Sequence, residues 1–170
     1  MGDTTEAGGS IEAADGTAEA LAAIRFDRDG LVPAVAQQYD TGEILMVAWM
    51  NRDAVRATLT EGQVCYWSRS RGKLWRKGET SGQVQRLHEL RLDCDGDTVL
   101  LLVDQHGVAC HTGRRSCFFR AWREDCWRVI ADPEIDPEIL YPPKEARPAA
   151  KPTAAVDTPN GSGPAPSCRR

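Results

Sequence analysis

The 170-residue sequence has no apolar stretch approaching the roughly 18 consecutive residues that a membrane helix needs. Its longest such runs, residues 44–50 and 99–103, have strand length. The acidic start of the chain lacks both the positive segment and the apolar segment of a secretory leader. Glu6 stands where an N-myristoylation signal wants Ser or Thr, and Ser167-Cys168-Arg169-Arg170 is no prenylation box. These absences predict a cytoplasmic chain with no membrane partner. Also missing is any Cys-x-x-Cys pair, the spacing on which zinc modules and dithiol redox sites usually rely. In a reducing compartment the six cysteines read as metal ligands, nucleophiles or buried thiols rather than disulfides.

Charge is distributed unevenly. Residues 1–20 carry five acids and no Lys or Arg, and too little apolar content to order themselves. Residues 142–170 are rich in Pro, Ala, Ser and Gly with a net charge of +3. Both ends are expected to be disordered tails around a single domain over 21–141, a normal domain size. That middle is net −2, within a chain of net charge −4, which argues against a long polyanion such as nucleic acid as partner.

The pattern within 21–141 is dominated by strands. Leu31–Gln38 and Glu43–Met50 flank Asp40-Thr41-Gly42 as a hairpin. Asn51 caps a helix whose apolar positions Val55 and Leu59 are spaced i, i+4 and which Gly62 ends. Further strands are predicted at Val64–Ser70, Gln83–Leu92, Thr98–Val103, Val108–His111 and Cys117–Trp122. The fold class is mainly β (α+β), with hairpins forming a barrel-like sheet and one or two short helices.

Chemistry concentrates in two places. The first is Asp93-Cys94-Asp95-Gly96-Asp97, followed by an apolar strand and then by Cys110-His111 and Cys117. Three thiolates suit an open catalytic zinc site with water as fourth ligand; the plainer alternative is small buried thiols. A hairpin of Thr98–Val103 with Val108–His111 would put Cys94 and Cys110 roughly 14 Å apart or more. Zinc sulfurs must lie within about 5 Å of one another. One chain therefore cannot easily supply all three, whereas a twofold dimer could bring Cys94 to the other subunit's Cys110 and Cys117. The aspartates fail as an EF-hand loop, since Thr98 stands at the glycine position. Three carboxylates on a turn still suit Mg²⁺, or are a solvated acidic turn. His111 is placed to act as a general base near a metal-bound water, whereas His88 and His106 read as structural or exposed. Cys65 and Cys126 read as inert packing.

The second place is residues 68–82, where Arg69, Arg71, Lys73, Arg76 and Lys77 precede Gly78-Glu79-Thr80-Ser81-Gly82. Hydroxyls and closely approachable backbone N–H groups suit a phosphate, and Trp67 and Trp75 offer flat faces for a base. A solvated basic hairpin and a single-stranded nucleic acid site are the alternatives; a small phosphorylated ligand fits a net negative domain better.

The runs Trp67–Arg71, Leu74–Gly82, Asp93–Asp97, Ala109–Gly113 and Ser116–Phe118, in this order and spacing, resemble phosphoribosyl-AMP cyclohydrolase of histidine biosynthesis, in its monofunctional form. The resemblance covers about residues 24–130 and departs at Gln83, where the pattern has Asn or His. It implies zinc at Cys94, Cys110 and Cys117 shared across an obligate homodimer, and magnesium at Asp93, Asp95 and Asp97. The implied reaction is hydrolytic opening of the adenine ring of 1-(5-phosphoribosyl)-AMP between N1 and C6. His111 then takes or relays the proton of the attacking water. Substrate contacts fall to Arg69, Arg71, Trp75, Lys77, Thr80 and Ser81. Zinc deaminases act on similar rings, but their His-x-Glu and Pro-Cys-x-x-Cys pattern is missing. The competing reading is a zinc-stabilised RNA- or nucleotide-binding module without catalysis.

Overall fold

Alternating burial along two apolar strands builds the centre of the molecule. A computed structural model describes residues 9–142. Strand β1 (Leu31–Gln38) buries every second side chain toward the core, and β6 (Val99–Gln105) does the same with Val99, Leu101 and Val103. The two run parallel, with Ala34 opposite Val99 and Gln38 opposite Val103. Pro33, which has no N–H to give, falls just outside that ladder.

The remaining strands extend the pair on both sides. They are β2 (Ile44–Asn51), β3 (Cys65–Ser68), β4 (Lys73–Arg76) and β5 (Gln85–Leu92), and the sheet order is β4-β3-β2-β1-β6-β5. Every pairing except β1 with β6 is antiparallel. The sheet curls as a half-barrel. Its outer strand β5 returns to the chain ahead of β3, where Gln63 bridges Arg86 and Val64 N–H donates to Gln85 O at 2.9 Å. The expected barrel-like, mainly β single domain is therefore seen in this partly closed form.

Helix α2 (Arg52–Glu61) starts where Asn51 Oδ1 accepts from Ala54 N–H and ends at Gly62, whose φ of 69° is open to glycine at no steric cost. It packs Val55 and Ala54 into the core, and Thr58 caps the start of β3 by accepting from Cys65 N–H at 2.9 Å.

Three expectations need correction. Helix α1 (Gly9–Ala23) occupies residues 9–20 of the expected N-terminal tail and leads into buried Leu21 and Ile24, so low apolar content in the early residues was outweighed by the anchor that follows them. Residues 1–8 and 143–170, the rest of the expected tails, lie outside the described residues, as does Cys168. Second, Val108–His111 is not a strand, because β1 and β5 already occupy both edges of β6 and leave no ladder for a hairpin to join. Third, the segment expected as Cys117–Trp122 pairs only from β7 (Arg120–Arg123), which forms a separate two-stranded sheet with β8 (Cys126–Val129). A short helix, α3 (Pro137–Leu140), follows.

Replacing Leu101 with Ala should destabilise the protein by about 3 kcal/mol, since it leaves a cavity in the central strand. Asn51→Ala should cost about 1 kcal/mol through the lost cap. Urea unfolding followed by circular dichroism measures both, and equal losses would contradict this account of the core.

Candidate active site

The acidic turn joins β5 to β6, at the end of the sheet where α1 also finishes. Asp93, Asp95 and Asp97 are exposed, and one ligand oxygen from each lies within 4.8 Å of the others. Burial works to raise the Asp93 carboxyl, but N–H groups of Thr98 and Asp97 and the neighbouring carboxyl groups outweigh it and hold it below the usual range. Thr98 N–H donates to Asp93 Oδ1 at 3.0 Å. Arg25, just after α1, clamps this turn: its N–H donates to Gly96 O at 2.7 Å and its Nη1 to Asp95 O at 3.0 Å. Gly96 has a φ of 80°, and a Cβ there would stand 3.0 Å from Ala23 O, so the close approach of the α1 end requires glycine. The turn is therefore held by a segment that lay at the margin of the expected domain. Its geometry fits a hard cation held by oxygen.

Cys110 and Cys117 come together at the opposite end of β6. Cys110 is buried and its Sγ lies 3.0 Å from Thr112 Oγ1. Although Cys117 as a residue is exposed, desolvation of its sulfur, with the charge and hydrogen bond of Cys110 adding to it, pushes the thiol up to about 12. Lys77 opposes that shift. Two sulfurs side by side with a cation beside them are a soft donor set that fits zinc. Cys94 is not with them. It sits in the acidic turn, and the length of β6, seven residues at about 3.3 Å each, separates the two ends by roughly 20 Å. Among the described residues Cys65, Cys94, Cys110, Cys117 and Cys126 are all free. Cys65 is buried, with its thiol raised by desolvation, whereas Cys126 lies half-buried on the outlying hairpin rather than in the core.

Beside the paired thiols, the β4 end and the glycine-rich loop close a cavity of about 250 Å³. Its walls include Arg71, Trp75, Lys77, Thr80 and Ser81, five of the six residues expected to meet substrate. The sixth, Arg69, instead lies over the ring of Trp49 at 4.7 Å. Trp75 rests against Tyr66, with ring centroids 5.1 Å apart. Arg76 is held by Glu61, whose carboxylate forms paired bonds of 2.5 and 2.7 Å and raises its pKa. Lys77 is buried rather than extended to solvent: burial lowers its pKa, the thiols of Cys117 and Cys110 act in the opposite direction, and Nζ donates to Gln83 O at 3.4 Å. It therefore faces both the cavity and the thiol pair.

Tyr141 was not singled out from the sequence, and Gln83 only as a departure from a pattern. Tyr141 lines this cavity and also a neighbouring one, of about 420 Å³, that holds His111 with Pro137 and Glu138. Gln83, the departure from the family pattern, accepts from Val108 N–H at 2.9 Å and so ties the glycine-rich loop to the loop of Cys110. A Cβ on Gly107, whose φ is 63°, would lie 1.8 Å from Gln83 Oε1 and would displace that side chain from its bond to Val108. No local signal marked Tyr141, since it reaches the site through α3 from far along the chain. His88, expected to be structural or merely exposed, is exposed and stacked on Tyr39 with centroids 3.8 Å apart.

A family model described as phosphoribosyl-AMP cyclohydrolase matches residues 46–119. A protein of that name from Rhodospirillum centenum is 68% identical over 124 residues, covering 72% of this chain and 93% of its own. Another from Magnetococcus marinus is 61% identical over 121 residues, covering 71% and 94%. A third, from Alkalilimnicola ehrlichii, is 68% identical over 121 residues, covering 71% and 85%. Among the described residues no helix is long and apolar enough to cross a membrane.

Cys117 keeps its proton to higher pH folded than unfolded. The folded state then binds more protons between about pH 9 and 12, and metal-free protein should lose stability across that window as pH rises. At pH 8 a thiolate-selective alkylating reagent should label exposed Cys94 well before Cys117. Peptide mass spectrometry reads the two rates, and equal labelling would refute the shielding of Cys117.

Proposed function

The chain belongs to the phosphoribosyl-AMP cyclohydrolase family, and from that premise we propose that it opens the adenine ring of 1-(5-phosphoribosyl)-AMP hydrolytically, as a zinc- and magnesium-dependent homodimer of the cytoplasm serving histidine biosynthesis. The observation that carries this reading is Lys77, which places the paired thiols of Cys110 and Cys117 against the cavity of the basic, glycine-rich loop. Metal chemistry and substrate recognition then meet at one wall.

Water adds its oxygen to C6, the N1–C6 bond breaks, N1 leaves with a proton, and C6 retains its exocyclic amino group as a carboxamide. His111 accepts the proton of the attacking water. Arg71, Thr80 and Ser81 receive a substrate phosphate, whereas Arg76, already neutralised by Glu61, has no free charge for it. Trp75, braced by Tyr66, supports the sugar or base. Lys77 offsets the charge of the thiolates. Cys94, Cys110 and Cys117 would hold zinc, which supplies a Lewis acid able to make water acidic near neutral pH. Asp93, Asp95 and Asp97 would hold magnesium against phosphate charge.

The dimer follows from distance. With Cys94 about 20 Å from its fellow ligands along β6, a single chain leaves the zinc set incomplete. Exposed aromatics support the same reading: Phe118, adjacent to Cys117 in the chain, and Trp122 and Trp127, packed on each other in the β7–β8 hairpin, are respectively 54%, 57% and 63% exposed. A catalytically silent zinc module is not favoured, because the relatives are named as enzymes.

Protein mixed with phosphoribosyl-AMP should change its ultraviolet absorbance, and a chelator should abolish the change. His111→Ala should lower kcat by about 100-fold or more with zinc content retained; near-normal turnover would remove His111 from the mechanism. Cys94→Ala and Cys117→Ala should each be inactive alone. Subunits exchanged at equal amounts should recover about one quarter of normal activity, because half the dimers are mixed and each mixed dimer has one intact site. No recovery despite exchange would refute the shared site.

A further inference from the structure

The loop between β6 and β7 carries Cys110, His111 and Cys117 but no strand, so its shape cannot come from a ladder. Arg115 supplies it. Its Nη1 donates to Gln105 O at 2.9 Å and to Gly107 O, and its Nη2 donates to Gln38 Oε1 at 2.7 Å. Its Nε faces the Glu43 carboxylate at 3.8 Å. One planar guanidinium thus joins the end of β6, the end of β1 and the entry to β2, a geometry the compact ammonium of lysine cannot reproduce. The backbone on either side of this anchor governs the thiols. Arg115 O accepts from Ala109 N–H at 3.0 Å, Arg114 O accepts from Cys110 N–H at 3.1 Å, and Cys117 N–H donates to Leu45 O at 2.8 Å.

The anchor rests on a buried polar chain that an ordinary β core would not contain. Gln38, only 4% exposed, also accepts from Gln105 N–H at 3.0 Å. Gln105 Oε1 accepts from Gln85 Nε2 at 2.8 Å, and Gln85 Oε1 accepts from the Tyr66 hydroxyl at 2.7 Å. Among the described residues no buried side-chain nitrogen or oxygen lacks a partner. A fully satisfied network of this kind rigidifies what it touches and selects one arrangement. Arg115 lines neither the cavity of Lys77 nor that of His111, so it does not meet substrate there.

We infer that Arg115 is a positioning residue that, through Gln38 and Gln105, sets the spacing of Cys110 and Cys117 for metal. The inference rests on the zinc reading above. Its test compares wild type, Arg115→Lys, Arg115→Met and Gln38→Met by zinc competition against a chromophoric chelator, by the absorption bands of the cobalt(II)-substituted protein, by thermal melting and by steady-state kinetics. Leu101→Ala, remote from the loop, controls for lost stability. The Arg115 variants should bind zinc about 10- to 100-fold more weakly than wild type. Their cobalt bands should shift, kcat should fall more than KM rises, and Gln38→Met should change in the same direction. A further variant, Arg115→Ala, should bind zinc as weakly as Arg115→Met and regain affinity on addition of guanidinium ion. Folded Arg115→Lys with wild-type affinity and cobalt spectrum would overturn the inference, as would weakening no greater than that of Leu101→Ala at a matched loss of melting temperature. If wild type binds zinc while the variants match it, this inference alone fails; if wild type binds none, the metal reading fails and takes the inference with it.

Discussion

The parallel pairing of β1 with β6 is the constraint on which the rest of the molecule depends. Once β1 occupies one edge of β6 and β5 the other, the chain leaving β6 has no ladder to join. The segment carrying Cys110 and His111 must become a loop held by side chains and turns. The same pairing fixes β6 as a rigid spacer, with the acidic turn and Cys94 at one end and the paired thiols at the other. The separation of Cys94 from the paired thiols and the polar anchor under the loop are two consequences of that single arrangement.

Polar groups in the interior show how the glycine-rich loop and the cysteine loop are coordinated. Gln83 binds the turn at Val108, Lys77 reaches toward Cys110 and Cys117, and Gln105 connects to Gln85 and from there to Tyr66 beneath Trp75. Burying such groups without partners would cost several kcal/mol. With partners they hold the glycine-rich loop and the cysteine loop in one frame.

Much of this was legible in local pattern. The hairpin around Asp40-Thr41-Gly42, the capped helix from Asn51 to Gly62 and the apolar strand after Thr98 follow from period, caps and turn residues, which act over a few positions. The grouping of Arg71, Trp75, Lys77, Thr80 and Ser81 was legible because one turn of chain carries them all. What escaped notice depends on distant chain. Helix α1 owes its place to Leu21 and Ile24, Arg25 to the turn it clamps, Arg69 to the ring of Trp49, and Tyr141 to the docking of α3. Lys77 read as one substrate contact in a basic loop, and only the fold shows it buried beside the thiols.

By itself the sequence determined the chemistry on offer: three cysteines and a histidine, three clustered acids, and a basic loop rich in glycine and hydroxyls, in an order that resembles one enzyme family. These are matters of residue type and short spacing. Tertiary structure decided which groups could act together. It put two of the cysteines side by side and the third at the far end of β6, and it replaced the expected hairpin at Val108–His111 with a loop pinned by Arg115. The reason is that strand pairing is a competition for edges among segments far apart in the chain, and no local pattern records which of them wins.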